Sequence, residues 1–241
     1  MHTAADADRA PAPCLPAGRR LRVWDLPTRV FHWTLAASVV ASIVTAHVGG
    51  NAMAWHLRLG ELALALVAFR LLWGLFGGHW SRFGAFAYGP GALMRYLRGA
   101  PRPEDRFEIG HSPLGSLSVW ALLALLCAQL ATGLVADDEI ASVGPLNRFV
   151  GGATVGLATG YHKAVGQWLL IALVALHVGA VLFYLLARRR NLVAPMWHGD
   201  KPHPSGLDLP TSRDGAGTRL LALLLFAACA AGAAWIASLG G

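Results

Sequence analysis

The residues from Ala164 to Ala187, AVGQWLLIALVALHVGAVLFYLLA, decide the class of this protein. The stretch contains no Asp, Glu, Lys or Arg, and its ionisable side chains are those of His177 and Tyr184. It is longer than the roughly 20 residues that an α-helix needs to cross a hydrocarbon layer of about 30 Å. Because lipid offers no partner for an unpaired backbone group, such a span must be helical. The sequence therefore predicts an integral membrane protein.

Three similar apolar stretches precede this one and another follows it. With 55% hydrophobic and only 14% charged residues, the composition also departs from the roughly 25% charged residues of soluble domains. We therefore expect an all-α fold, a four-helix transmembrane bundle with a fifth, peripheral C-terminal transmembrane helix. The other four spans are expected at Val30–Val48, Trp55–Phe76, Leu114–Ala136 and Arg219–Leu239.

The net charge of +7 comes from basic residues that lie at one end of the spans, hereafter the basic face. By the positive-inside rule this face is cytoplasmic, which predicts a cytoplasmic N-terminus and an external C-terminus. The basic residues are not interleaved with aromatic ones, so we expect no nucleic-acid partner. The residues concerned are Arg19, Arg20, Arg22, Arg29, Arg82, Arg95, Arg98, Arg102, Arg106, Arg188, Arg189, Arg190, Lys201 and Arg213.

The remaining segments are expected to have simple roles. Residues 1–20, rich in Ala, Pro and Asp, predict a disordered cytoplasmic tail. Residues 21–200 form the expected transmembrane domain, and 201–241 a linker with the additional helix. The stretch Gly89–Gly99 predicts a short interfacial helix on the basic face. The cysteines Cys14, Cys127 and Cys229 form no C-x-x-C pair, which excludes a zinc knuckle and a covalent haem site.

Histidines inside apolar spans are costly, so each is a functional hypothesis. His32 lies near the basic face and His56 near the opposite face. His162 opens the expected fourth helix, and His177 follows fifteen residues later, about 22 Å by helical rise. Depth alone therefore pairs His32 with His177 and His56 with His162. His47, near the opposite face, is a reserve candidate for the second pair.

Each pair could supply the two axial nitrogens of one haem iron, and two haems at different depths would carry electrons across the membrane. Two alternatives use the same side chains. An intramembrane histidine can serve packing through hydrogen bonds. A zinc site is a weaker alternative, because closed zinc sites usually need four ligands at one level.

Other residues could support such cofactors. Arg70 lies at the depth of the pair nearer the basic face, where it either binds a haem propionate or snorkels to the interface. Arg29 is a second candidate for a propionate. Five glycines within the spans would leave room for a flat macrocycle or for close helix packing: Gly60, Gly74, Gly133, Gly166 and Gly179.

Five motifs accompany these segments: VWDLPTRVFHW at Val23–Trp33, RLLWG at Arg70–Gly74, GHSPLG at Gly110–Gly115, TGL at Thr132–Leu134 and ALHV at Ala175–Val178. Together they resemble the prokaryotic cytochrome b561 and nickel-iron hydrogenase b-type cytochrome family. The resemblance covers about residues 21–200 and implies a bacterial inner-membrane protein.

The resemblance implies two non-covalent b haems in a four-helix core. It places one histidine ligand on each of the first two helices and two on the fourth, which correspond here to His32, His56, His162 and His177. The spacing between the last two is one residue longer than is usual in the family. We therefore expect an irregular helical turn near Gly160.

We accordingly expect a cytochrome that moves single electrons between the quinone pool and a redox partner, with quinone as a further candidate cofactor. Bis-histidine ligation leaves no open iron position, which favours electron transfer over catalysis. The chain is then an electron-transfer protein or a subunit of a quinone-linked oxidoreductase. The resemblance allows a hydrogenase, a c-type cytochrome, another dehydrogenase or a quinone-coupled superoxide oxidase system; a homodimer is also a candidate.

The loop at Asp137–Glu139 could dock a basic c-type cytochrome through its charge, or simply be solvated. Two other classes of function use the same spans. One is an ion or metal transporter whose histidines line a path, which broken helices would favour. The other is a membrane anchor subunit without haem.

Overall fold

The computed structural model describes residues 20–102, 104–105, 107–140, 142–202 and 208–240. The expected tail lies outside the described residues apart from Arg20, and so do Cys14, Arg19 and Arg106.

Helices account for most of the described chain. Three of them, α5, the π-helical segment and α6, follow each other without a break, so five helices are long and apolar enough to cross a membrane. The predicted all-α transmembrane bundle is confirmed. The elements in chain order are β1 (Arg20–Arg22), α1 (Leu26–Val48), α2 (Met53–Phe76), α3 (Pro90–Leu97), α4 (Pro113–Gly133), α5 (Gly152–Gly160), the π-helical segment (Tyr161–Gly166), α6 (Gln167–Leu186), α7 (Val193–His198), β2 (Asp200–Pro202) and α8 (Ala216–Ser238).

Side-chain caps set the starts of two spans. Asp25 accepts a hydrogen bond from the Thr28 backbone N–H, 2.8 Å, and begins α1 four residues before the predicted start. Ser112 accepts from the Gly115 N–H, 3.2 Å, at the start of α4. In both helices a proline stands within the first two positions, where its missing N–H costs nothing.

The fourth span differs most from the prediction, because it begins at Gly152 rather than Ala164. The small and apolar residues of α5 continue the helix outward. Lys163, directly before the predicted start, is exposed and does not interrupt the helix. The π-helical segment confirms the irregular turn expected near Gly160. His162 therefore lies inside a continuous helix and not at its opening.

Helix α2 is the centre of the bundle, since it packs against α1, α4 and α8. Phe31 of α1, Phe69 and Trp73 of α2, and Ala222 of α8 belong to one buried cluster. The C-terminal helix thus lies on the outer side of the α1–α2 pair, as its expected peripheral position requires.

A small assembly at the basic face was not predicted. Strands β1 and β2 pair antiparallel, but each has only three residues, too few for a periodic pattern to show. Beside them Asp214 accepts hydrogen bonds from Arg22 Nη1 at 2.9 Å, the Leu26 N–H at 3.1 Å and Arg219 Nε at 3.2 Å. This carboxylate ties the start of α8 to the start of α1.

Helix α3 confirms the short helix predicted at Gly89–Gly99, and its interfacial position stays a prediction. Arg95 on it forms a two-bond ion pair with Asp105, at 2.9 and 2.8 Å, and the Tyr96 hydroxyl lies 2.7 Å from that of Tyr184 on α6. These contacts hold α3 across the ends of the spans. The division of the chain at residues 20 and 200 stays a prediction.

Candidate functional site

The four predicted ligand histidines come together as two pairs. The ring centroids of His32 on α1 and His177 on α6 are 6.4 Å apart, and we call these residues the inner pair. Those of His56 on α2 and His162 in the π-helical segment are 6.1 Å apart and form the outer pair. The inner pair lies toward the basic face. These are the pairs that depth suggested, and their role as haem ligands stays a prediction.

Both spacings fit two imidazoles bound on opposite sides of one metal ion. An imidazole–metal bond of about 2 Å, with about 1.2 Å from nitrogen to ring centroid, places two opposed centroids about 6.4 Å apart. Among the described residues, no three His, Cys, Asp or Glu side chains converge as a metal site. The histidines therefore remain grouped in twos, which does not suit zinc.

Backbone carbonyls determine which nitrogen of the outer pair can bind a metal. The Nδ1 atom of His56 lies 3.0 Å from the Ser42 carbonyl oxygen, and that of His162 lies 2.9 Å from the Gln129 carbonyl oxygen. Because a carbonyl only accepts, each Nδ1 carries the hydrogen and donates it. The lone pair is then on Nε2 in both rings, as a metal ligand requires.

The inner pair has a different setting. The Nδ1 atom of His32 is buried and has no hydrogen-bond partner in the described part of the chain. The rings of His32 and Trp33 meet edge to face, with centroids 5.0 Å apart. The two pairs are thus alike in spacing but not in the hydrogen bonds around them.

His47, the reserve candidate, has partners for both ring nitrogens. Its Nδ1 lies 2.8 Å from the Ile43 carbonyl oxygen and its Nε2 lies 3.4 Å from Gln167 Nε2. Its ring packs against Trp168, with centroids 6.4 Å apart. This arrangement leaves neither nitrogen free for a metal.

An apolar layer lies between the two pairs. Val67, Leu126 and Leu170 are buried in it, and they come from α2, α4 and α6. Leu35 and Val39 of α1 pack against them. All four core helices therefore contribute to this apolar layer.

Arg70 is only 4% exposed, so the snorkelling alternative is wrong. Its guanidinium carbon lies 4.9 Å from the Phe83 ring centroid, and its Nη1 has no partner among the described residues. The other candidate, Arg29, donates from Nη1 to the Trp197 carbonyl oxygen at 2.6 Å, while its buried Nε has no partner in the same part of the chain.

Sequence reasoning did not propose His111 as a site residue. The ring packs between Trp24 and Phe86, with centroid distances of 4.7 and 4.4 Å, and its Nδ1 is buried without a partner among the described residues. Burial, and then the charges of Arg70 and Lys201, lower the pKa of His111 to about 3. Its position in the GHSPLG motif, directly before the cap of α4, was the available signal.

Sequence reasoning also missed Gln129 on α4. Its side-chain amide donates to the His162 carbonyl oxygen at 3.0 Å, while its own carbonyl oxygen accepts from the His162 ring. The two residues therefore hold each other in place across α4 and the π-helical segment. The sequence carried no spacing signal for this contact, because it joins two different helices.

At three of the five glycines, a side chain from a neighbouring residue fills the space where a Cβ would be. The expectation that these three leave room for a macrocycle is wrong. A Cβ on Gly133 would lie 2.8 Å from His162 Cε1, so this glycine makes room for the histidine ring. Gly74 and Gly166 are likewise closed by neighbouring side chains. A Cβ would meet nothing within 4 Å at the other two, Gly60 and Gly179.

The acidic loop borders a surface cavity of about 300 Å³. Asp137 and Glu139 line it together with Arg148. The surface is thus mixed in charge, and docking of a basic partner there stays a prediction.

Comparison with known proteins agrees with this architecture. The family model described as prokaryotic cytochrome b561 matches residues 23–199, a range that includes both histidine pairs. The chain is 21% identical to the probable Ni/Fe-hydrogenase B-type cytochrome subunit of Bradyrhizobium diazoefficiens, over 213 residues covering 74% of this chain and 85% of that protein. No solved structure gives a significant match. The chain therefore belongs to the prokaryotic cytochrome b561 family, as a multi-pass bacterial membrane b-type cytochrome that binds haem b and serves electron transfer.

Proposed function

We propose that this chain holds two b haems, one between each histidine pair, and passes single electrons across the membrane between the quinone pool and a redox partner. The observation that carries the proposal is the spacing of the pairs, 6.4 and 6.1 Å between ring centroids, at two depths of one bundle. Paired imidazoles at this separation suit an iron held by two axial nitrogens.

The histidines have defined tasks in this proposal. His32 and His177 hold the inner haem, and His56 and His162 hold the outer haem. The carbonyl oxygens that accept from the outer rings orient them and increase the basicity of the metal-binding nitrogens. A bound haem supplies reversible one-electron reduction of its iron. With two histidines bound to each iron, oxygen and organic substrates would have no coordination site.

Other side chains control the surroundings of the inner site. Arg70 and Arg29 would bind haem propionates; this role is supported by a buried nitrogen on each that has no partner among the described residues. The apolar layer of Val67, Leu126 and Leu170 separates the sites and excludes water. Electrons can cross such a layer, whereas hydrated ions cannot, and this favours electron transfer over ion transport.

The partner is proposed from the relative and from charge. A relative named as a hydrogenase b-type cytochrome subunit makes a hydrogenase the first candidate, with a c-type cytochrome or another dehydrogenase next. The basic face would lie in the cytoplasm of a bacterial inner membrane, with the C-terminus in the periplasm. Quinone would exchange electrons at one of the two haems.

Haem quantitation tests the proposal directly. The full-length protein, purified in detergent, should give a b-type reduced-minus-oxidised spectrum, and the pyridine haemochrome should yield about two haems per chain. A colourless protein would support the anchor or transporter alternative and overturn the proposal. One haem per chain would overturn its dihaem part.

A further inference from the structure

Two basic side chains, Arg70 near the end of α2 and His111 just before α4, are grouped around the same aromatic ring. Arg70 and His111 are both in contact with Phe86: the guanidinium carbon lies 6.0 Å from that ring centroid and the imidazole centroid 4.4 Å. Phe83 and Trp24 form further walls. We call this site the Arg70–His111 pocket. It combines one permanent cation and one imidazole within an aromatic enclosure.

Both polar side chains have unused hydrogen-bonding capacity. Arg70 Nη1 and His111 Nδ1 are buried, and neither has a partner among the described residues. Buried polar groups in native proteins are nearly always hydrogen-bonded. Two unpaired nitrogens in one pocket therefore indicate that it receives an acceptor.

The nearby buried carboxylate of Asp25 does not meet this demand. It accepts from the Thr28 N–H at 2.8 Å, from Trp73 Nε1 at 3.1 Å and from the Ser81 hydroxyl at 2.6 Å. The Gly78 N–H adds a fourth bond at 3.2 Å. All four donors are neutral, so the Arg70 cation is left without a directly bonded anion.

The pocket is close to the inner pair. Trp24, whose ring centroid lies 4.7 Å from that of His111, directly precedes the Asp25 cap of α1, the helix that carries His32. Because burial lowers the pKa of His111, its imidazole is neutral and offers an N–H group but no second charge. A carboxylate suits this pair of groups, because it balances the cation and accepts from both.

We propose, on the basis of the proposed function, that Arg70 and His111 together bind one propionate carboxylate of the inner haem. Arg70 neutralises the carboxylate, and His111 donates a second hydrogen bond that sets its direction. A neutral quinone carbonyl would bring no charge to the buried guanidinium, on which the charge of Asp25 acts only through space, whereas a carboxylate can bond to it directly. The pocket therefore positions the inner haem and raises its reduction potential, because a neutralised propionate opposes electron uptake less.

Redox titration of the full-length protein in detergent tests this assignment. In Arg70→Gln, the reduction equilibrium of one haem should fall about tenfold, which is about 59 mV for one electron, while the other haem is unchanged. The affected haem should be the one that His32→Ala removes. Its potential should also become pH-dependent, since an unpaired propionate can take up a proton.

A second variant does not remove the cation. His111→Phe keeps an aromatic ring in the enclosure and removes only the hydrogen-bond donor. The reduction equilibrium constant of the same haem should therefore fall about threefold. In Arg70→Lys, which keeps the positive charge, the potential of this haem should stay close to the wild-type value. The matched controls are His79→Gln and the exposed Arg98→Gln, which should leave both potentials unchanged.

The outcomes separate this inference from the proposed function. Two bound haems whose potentials are unchanged in both Arg70→Gln and His111→Phe would overturn the inference and leave the dihaem cytochrome intact. A wild-type protein without haem would overturn the proposed function itself. A wild-type potential that shifts when sodium acetate is added would show that the pocket binds free carboxylates and would also overturn the inference.

Discussion

The imidazole rings of His56 and His162 lie nearly perpendicular, at 81°, with their centroids 6.1 Å apart. One ring is on α2 and the other in the π-helical segment, and each donates from Nδ1 to a backbone carbonyl of a different neighbouring helix. The outer site thus depends on all four core helices, because Ser42 belongs to α1 and Gln129 to α4.

The first prediction concerns the pairing. His56→Ala and His162→Ala should each remove the same haem, and His32→Ala and His177→Ala should each remove the other, so that haem content falls from about two to about one per chain. Spectra and redox titration of each variant identify the haem that remains. His47→Ala is the control and should keep both. Loss of different haems within one pair would contradict the assignment.

The second prediction concerns Gly133. In Gly133→Ala the new Cβ would lie 2.8 Å from His162 Cε1, so the ring must move away from its metal-binding position. We expect selective loss of the outer haem, with content near one per chain, because an overpacked site shifts its side chains. Gly60→Ala meets nothing within 4 Å and should retain both haems. Equal haem content in the two variants would refute this prediction.

The third prediction concerns Asp25, which is fully buried and accepts four hydrogen bonds at the junction of α1 and α2. Asp25→Asn replaces one acceptor oxygen by a donor that faces other donors. We expect a loss of about 2–4 kcal/mol in unfolding free energy, measured by thermal unfolding in detergent. The exposed Asp208→Asn is the control and should unfold like the wild type.

The fourth prediction concerns pH. Burial, and then the charge of Arg190, lower the pKa of Lys201 from 10.5 to about 8, so the unfolded chain holds this proton more tightly than the folded protein. Between these two pKa values the unfolded chain binds more protons, and stability therefore increases as pH rises through the window. Below pH 8 the buried cation is a cost to the fold.

Lys201→Met should remove this contribution. Its unfolding midpoint should rise less than that of the wild type between about pH 8 and pH 10. Lys163→Met, at an exposed position, is the matched control and should keep the wild-type slope. Parallel pH profiles for Lys201→Met and the wild type would show that Lys201 is not a source of the pH dependence.

Most of the architecture could be predicted from local properties of the sequence. Span length, hydropathy and the basic clusters indicated the five crossings and their common basic face. Helical rise indicated that His162 and His177 lie at different depths. The start of the fourth span was wrong: the predicted span begins at Ala164, whereas α5 and the π-helical segment extend the helix back to Gly152.

The sequence by itself determined the number of spans, the basic face and the four histidines at two depths, because each of these follows from residues close together in the chain. Only the tertiary structure decided which groups meet. The 6.1 and 6.4 Å ring separations, the carbonyls of Ser42 and Gln129, and the enclosure of Arg70 with His111 each join separate helices or loops. Such contacts depend on how the helices pack, and no period or spacing along the chain records that.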